Sequence, residues 1–278
     1  MSTKHFVPQL IAATVLRTLE DNLVGKKICT TKFSGEISKK GDSVTFPGLA
    51  DPTISPYTGS ISYEDLQDAG LTMPINQADY FAFKVTDIEK AQAELDMKGS
   101  QANRAAYKMA QACDTYIMNL YGQAGNTVTA ATVTTANVLS VIGTFEQLLA
   151  ENNVADNQMW MIIPPWLRLK LKLAGVKFQI NNGTNGKGYM AWTNELGYDV
   201  FVNNQTVNTG TTAVPVSHIL CGSYNSIAFA DQITETENLR LQSSFDDAVR
   251  GLHLYDAKVI KPLELATGAL TLGAESTI

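Results

Sequence analysis

The chain has 278 residues, 45% of them hydrophobic and 17% charged, with a formal net charge of −6. That composition excludes general disorder, and the acidic balance excludes a surface built to grip nucleic acid, which would carry a basic patch or stripe. No apolar run approaches the roughly 20 residues needed to cross a bilayer, so no membrane partner is expected. The N-terminal residues lack a secretory signal pattern, and Cys29, Cys113 and Cys221 are odd in number and scattered, which reads as reduced, buried thiols.

Phe6, Leu10, Val15, Leu19 and Leu23 recur at roughly helical spacing and predict an amphipathic helix over 6–24, ended by Gly25. A terminal helix has little chain around it to cover its apolar stripe. Phe6 and Leu10 are therefore candidate contacts with another subunit, and docking within the helix's own domain is the alternative.

From Gly35 to about Val85 the sequence predicts a large hairpin. Gly41-Asp42 opens a strand over 43–46, and Pro47-Gly48 ends it. A polar stretch with Pro52, Pro56 and Gly59 leads to the acidic Glu64, Asp65 and Asp68. Extended runs follow over 71–75 and 80–85, where Phe81, Phe83 and Val85 alternate with Ala82 and Lys84. A loop this long inside a compact domain is usually functional, and it holds too few apolar residues for a core of its own. It predicts a projecting arm that packs on a neighbour. Lys39 and Lys40 against Glu64, Asp65 and Asp68 are candidate complementary contacts between subunits, with solvated hairpin ends as the alternative.

Thr86-Asp-Ile-Glu89 is a capping box. After it Ile88, Leu95, Ala102, Met109 and Tyr116 recur every seven residues, predicting one helix over 87–121 with Gly122 as its C-cap and a possible bend at Gly99. Its seam of Ala, Gly and Cys is too small for a strong coiled coil, so the helix is expected to lie on a sheet. Asn126–Thr135 reads as a linker or a weak strand, with a domain boundary near 134. A helix over 137–152 follows, then a doubly buried strand over 159–163 stopped by Pro164-Pro165. Leu167–Leu173 alternates with period two, but the Pro-Pro-Trp start favours a short helix. Further strands are expected over 199–202 and 218–221, then β structure from Asn238 on, over 248–255 and 258–262.

No catalytic constellation emerges. His5, His218 and His253 form no paired ligand set, and no CxxC exists. Gly186-x-Gly188-x-x-Ala191 fits a dinucleotide fingerprint in letters only, because an Asn/Gly loop precedes it where a strand is required. Asp246-Asp247 reads as a solvated turn. No cofactor, metal or catalytic residue is expected.

Set in order, several short motifs resemble the major capsid proteins (coat proteins) of tailed bacteriophages with the Hong Kong 97-type fold. They are Phe6-Val-Pro8 before a helix, Gly35-Glu-Ile through Gly41-Asp-Ser-Val-Thr-Phe-Pro47, Phe83-Lys-Val-Thr-Asp87 before the long helix, and Val249-Arg-Gly-Leu-His-Leu-Tyr255 through Lys258-Val-Ile-Lys-Pro262. The resemblance implies an α+β chain with a long spine helix packed on an antiparallel sheet. It implies an N-terminal arm (1–34), an extended loop (35–82), a peripheral domain (83–133 with closing strands 234–278) and an inserted α/β axial domain (134–233). It implies a virion shell protein and not an enzyme, assembled in the host cytoplasm as pentamers and hexamers. A separate scaffolding protein and a portal are implied partners, with packaged double-stranded DNA touched only non-specifically. An encapsulin-type shell around a cargo enzyme is the alternative, and a nucleotide-binding enzyme using the loop at 183–191 is the third.

Overall fold

The computed structural model describes residues 24–31, 41–46, 56, 70–85, 97–155, 158–176, 189–191, 199–211, 215–240 and 247–273. Strands β1 (Ser43–Phe46) and β2 (Leu71–Pro74) pair antiparallel, Ser43 opposite Pro74 and Phe46 opposite Leu71. Gly41, at φ +97°, makes the left-handed turn that only glycine adopts cheaply. It lets Gly41 N donate to Ile75 O at 2.8 Å, while Ile75 N donates to Asp42 O at 2.7 Å. The base of the predicted hairpin thus exists. That base is anchored on the subunit's own strands. Val44, Phe46, Met73 and Ile75 are buried against Ala228, Ala230 and Leu254.

β3 (Gln77–Val85), β9 (Ile227–Arg240) and β10 (Asp247–Val259) form an antiparallel sheet in the order β3-β10-β9. The two strands expected over 248–255 and 258–262 are one strand, β10, after which Pro262–Glu264 forms a 3-10 turn. Helix α2 (Met97–Met118) lies on one face of this sheet and runs through Gly99. Its 22 residues span about 33 Å. The capping box and Leu95 lie outside the described residues. The helix tightens into a 3-10 turn over Asn119–Gln123, so Gly122 falls inside that turn. The small seam read from the sequence is the contact: Ala102, Ala106, Met109, Ala110, Cys113 and Ile117 are buried with Phe81, Val249, Phe229 and Tyr255. Gly251 lets the Phe81 ring lie on the sheet, since a Cβ there would sit 2.4 Å from it.

A second, mixed sheet has the order β4-β11-β8-β5-β7-β6. Its strands are β4 (Asn126–Val133), β5 (Met159–Ile163), β6 (Tyr189–Ala191), β7 (Asp199–Val202), β8 (Val216–Ser223) and β11 (Leu265–Leu272). Every residue of β5 is buried. Met159, Met161 and Ile163 face the core made with α3 (Val138–Glu151) and α4 (Pro165–Leu173), while Trp160 and Ile162 face the core shared with α2. This strand between two covered faces explains its unbroken apolar run. Each large side chain fully buried there stabilises the fold by about 1.5–3 kcal/mol.

Two strands of the six-stranded sheet, β4 and β11, come from outside residues 134–233. Asn126–Val133 is a full strand, supported by its β-branched threonines and valines. Leu265–Leu272, expected among closing strands on the peripheral side, inserts between β4 and β8. Its Leu265, Ala266 and Leu270 are fully buried, and that two-sided burial outweighs its place in the chain. Gly25 begins the short helix α1 (Gly25–Ile28), and a Cβ there would meet Ile117 Cδ1 at 2.4 Å. Of the helix expected over 6–24, residues 6–23 lie outside the described residues.

Candidate assembly site

The candidate contact residues Phe6, Leu10, Lys39, Lys40, Glu64, Asp65 and Asp68 all lie outside the described residues. Their described borders do converge on the molecule's core. Residues 24–31 close the predicted terminal arm, and they are held in three ways, by α2 and by β9.

The first hold is Asp114 of α2. Its Oδ1 accepts from Gly25 N at 2.8 Å, and its Oδ2 accepts from Val24 N at 3.4 Å and from Asn203 Nδ2 at 3.0 Å. One carboxylate thus joins the start of α1, the C-terminal part of α2 and the loop after β7. Burial pushes its pKa up to about 6, and the two backbone donors, Asn203 and Lys27 pull against that rise. The second hold is the ion pair of Lys26 Nζ with Asp231 Oδ1 on β9, at 3.1 Å. Burial works to raise Asp231, but His253 and Lys26 overcome it and keep this carboxyl below its ordinary range. The third is backbone pairing: Thr30 N donates to Ile227 O at 2.8 Å, and Phe229 N donates to Thr30 O at 3.0 Å. This adds a rung of parallel sheet beside β9.

Sequence reading missed Asp114. The signal was present, because Ala110, Cys113, Asp114 and Ile117 share the i, i+3, i+4, i+7 face that packs inward. A carboxylate on that stripe must find donors or remain protonated.

Near this junction Cys113, His253 and Asp231 stand in a row. Cys113 Sγ is 3.8 Å from His253 Nδ1, and His253 Nε2 is 3.6 Å from Asp231 Oδ2. The order imitates a nucleophile, base and orienting acid, but the chemistry does not follow. Cys113 and His253 are wholly buried, and burial, then the nearby carboxylates Asp231, Asp114 and Asp79, push the thiol far up. Both effects favour the neutral thiol over the thiolate. Among the described residues, no group of three or more His, Cys, Asp or Glu side chains could hold a metal ion, and no helix is long and apolar enough to cross a membrane.

What the molecule does present is uncovered apolar surface. The face of the three-stranded sheet turned away from α2 carries Tyr80, 77% exposed, with Ala82 exposed and Leu252 half-buried. Tyr80 lies opposite Leu252, and Ala82 opposite Arg250. Arg250 is bound across the sheet to Glu237 by its Nε at 2.7 Å. These residues line a shallow depression of about 350 Å3. Among the described residues the β1–β2 ribbon covers the far end of this face, at Leu254, Ala228 and Ala230, and its cluster reaches Leu252.

No protein-family model matches the chain, and no curated protein matches it in sequence. Its fold has close likenesses among solved structures. A chain of Mycobacterium phage Che8 superposes with a TM-score of 0.70 at 23% identity, over 89% of this chain and 91% of that one. A chain from the capsid of cyanophage P-SCSP1u gives 0.67 at 13% identity, over 90% and 89%. A chain of a virus-like particle from Pyrococcus furiosus gives 0.57 at 12%, over 93% and 97%. The mixed helix-and-sheet fold of this chain is therefore that of phage capsid proteins.

Proposed function

We propose that the chain is the major capsid protein of a tailed bacteriophage, a structural subunit that self-assembles into the icosahedral shell around the genome. The observation that carries this is the fold likeness to phage capsid chains along about nine-tenths of both partners. The physical reading agrees with it. The chain presents uncovered apolar faces, and among the described residues its one arrangement of reactive groups is sealed in the core.

In detail, the proposal takes α2 as the spine helix of a Hong Kong 97-type fold and the three-stranded sheet as the peripheral domain. The six-stranded sheet with α3 and α4 forms the axial unit, gathered in fives and sixes at capsomer centres. The segment between β1 and β2, with Glu64, Asp65 and Asp68, and the arm ahead of Val24, with Phe6 and Leu10, reach neighbouring subunits. Lys39 and Lys40, just before the ribbon, are contacts for such a segment. A scaffolding protein and a portal are further partners, and the net charge of −6 suits a shell that touches DNA only loosely.

The Pyrococcus furiosus particle favours a second reading, an encapsulin-type shell around a cargo enzyme. Electron microscopy of the purified protein, alone and co-expressed with its genomic neighbours, tests both. Closed shells or capsomers are expected, and a monomer under every condition overturns the shell reading. Nucleic acid inside the particles supports the phage capsid, and a co-purifying enzyme supports the alternative.

A further inference from the structure

The β1–β2 ribbon joins the three-stranded sheet through Ile75 and Asn76, between β2 (Leu71–Pro74) and β3 (Gln77–Val85). Ile75 belongs to the ribbon, since its N donates to Asp42 O and its O accepts from Gly41 N. Among the described residues Asn76 alone therefore stands between ribbon and sheet, and its two soft dihedrals set the angle between them. Apolar packing does not fix that angle by itself. Val44, Phe46, Met73 and Ile75 rest on Ala228, Ala230 and Leu254, and the burial of apolar area is non-directional.

The directional contact comes from Asp256 of β10. The β3–β10 ladder ends at Gln77 opposite Tyr255, so Asp256 is the first residue past it. Its carboxylate takes over there. Oδ2 accepts from Asn76 N at 2.9 Å, while Oδ1 accepts from Tyr116 OH of α2 and from Ala257 N, each at 2.7 Å. Asp256 is 5% exposed, and taking a carboxylate out of water is costly unless such bonds offset it. All three partners donate. An amide in its place has one accepting oxygen and must turn its NH2 toward a donor, so the site calls for an acid. Tyr116 is steered in turn by a hydrogen bond with Gln77, the first residue of β3. Lys258, on the same face of β10 as Asp256, donates from Nζ to Thr72 O at 2.8 Å and ties the ribbon a second time.

We propose that Asp256 is a positioning residue for assembly: by gripping Asn76 N, with Tyr116 behind it, it sets the direction in which the β1–β2 ribbon leaves the subunit. The consequence for assembly rests on the shell-subunit reading, while the grip itself does not. A head-to-tail contact closes a ring only when the rotation between subunits is right. A ribbon free to swing offers its neighbour many angles, of which few close. The apparent affinity between subunits then falls by the fraction that points the right way.

The test reads the ribbon's angle apart from stability. Thr45→Cys on the ribbon and Lys108→Cys on α2, both at exposed positions, carry nitroxide labels, while the buried Cys29, Cys113 and Cys221 stay unlabelled. Double electron–electron resonance, on subunits kept below the assembly concentration, should give one narrow distance when Asp256 is intact. Asp256→Asn should broaden that distribution. It should also raise the concentration needed for assembly by about tenfold, as when about a tenth of the subunits point the right way. Tyr116→Phe removes one donor and keeps the ring, so it should do the same to a smaller degree, and it decides where Asp256→Asn fails to fold. A role in stability alone would lower the melting temperature and leave the distribution narrow, which overturns the proposal. A broadened distribution with normal assembly overturns it too, because the angle would then not govern assembly. A wild type that never assembles removes the shell reading, and the distance distributions still decide whether Asp256 holds the ribbon.

Discussion

The two sheets of this molecule differ in how completely one subunit covers them. The six-stranded sheet has helices α3 and α4 on one face and the α2 core on the other, so its central strand is buried throughout. Among the described residues the three-stranded sheet has α2 on one face, while on the other the β1–β2 ribbon covers one end and Tyr80 stands 77% exposed. The first sheet holds the subunit together. The second leaves apolar area whose burial can drive association. Substitutions in the two sheets should therefore separate folding from assembly.

The largest effect on folding should come from the covered sheet. Trp160 is wholly buried, and its indole Nε1 donates to Ser223 O at 2.8 Å. Trp160→Ala should cost about 3–5 kcal/mol through the cavity it leaves. Thermal melting of the unassembled subunit should fall by on the order of 10 °C, or the product should be insoluble. A change of only a degree or two would show that this sheet is less tightly packed than its burial states.

The next effect sits where the sheets meet. Asp114 titrates at 3.8 ordinarily and at about 6 in the folded chain. Between these values the folded state binds the proton more tightly. The stability this group contributes is full below pH 3.8 and is lost as pH rises through about 6. The whole swing is about 3 kcal/mol at 1.36 kcal/mol per pKa unit. Asp231, held below its ordinary range, works the opposite way, losing stability as pH falls. The comparison that isolates Asp114 is the difference in unfolding free energy between wild type and Asp114→Asn across pH 4 to 7. That difference should drift against wild type as pH rises, and a flat difference would show that Asp114 keeps its ordinary affinity for protons.

The sequence made the covered sheet legible and the junction much less so. Met159–Ile163 was readable because a short apolar run stopped by two prolines has few other solutions. Pro165 likewise favoured a helix over the alternating Leu167–Leu173 run, and α4 is one. The burial of Lys170 and the exposure of Leu169 and Leu173 were not readable, because a period-two alternation wound into a helix puts residues of both kinds on each face. Pairing between β4 and β11 was hidden for another reason. Parallel neighbours so far apart in the chain leave no local pattern, and threonine-rich β4 has a weak one of its own. Asp114 is a single residue whose partners, Val24, Gly25 and Asn203, come from two distant segments. The candidate contacts chosen from sequence fell on segments beyond the described residues, so their placement remains a matter for the proposal above.

Tyr80→Ser should change subunit stability by no more than about 0.5 kcal/mol, as surface substitutions do. If the uncovered face is an interface, the same change should weaken assembly measurably, read as a higher critical concentration by light scattering. Equal effects on melting and on assembly would mean the face belongs to the subunit's own core.

The smallest effect on folding is expected from the segment between β1 and β2. Replacing Pro52 to Asp68 with a short Gly/Ser linker leaves the ribbon's own pairs, Ser43 with Pro74 through Phe46 with Leu71, in place. It also keeps Val44, Phe46, Met73 and Ile75, the residues that anchor the ribbon on Leu254, Ala228 and Ala230. Closing a linker of different length changes stability by only tenths of a kcal/mol, since the entropy of loop closure varies with the logarithm of length. Melting of the unassembled subunit should stay within about 2 °C of wild type, because a 1 kcal/mol change moves a chain of this size by roughly 2–4 °C. In the capsid reading the same replacement removes a contact that shell symmetry repeats on every subunit. Assembly should therefore fail or stop at open, irregular sheets under the electron microscope. Closed shells of normal size would make the segment decoration. A subunit that unfolds without it would place its residues in the core and dissolve the contrast between the two regions.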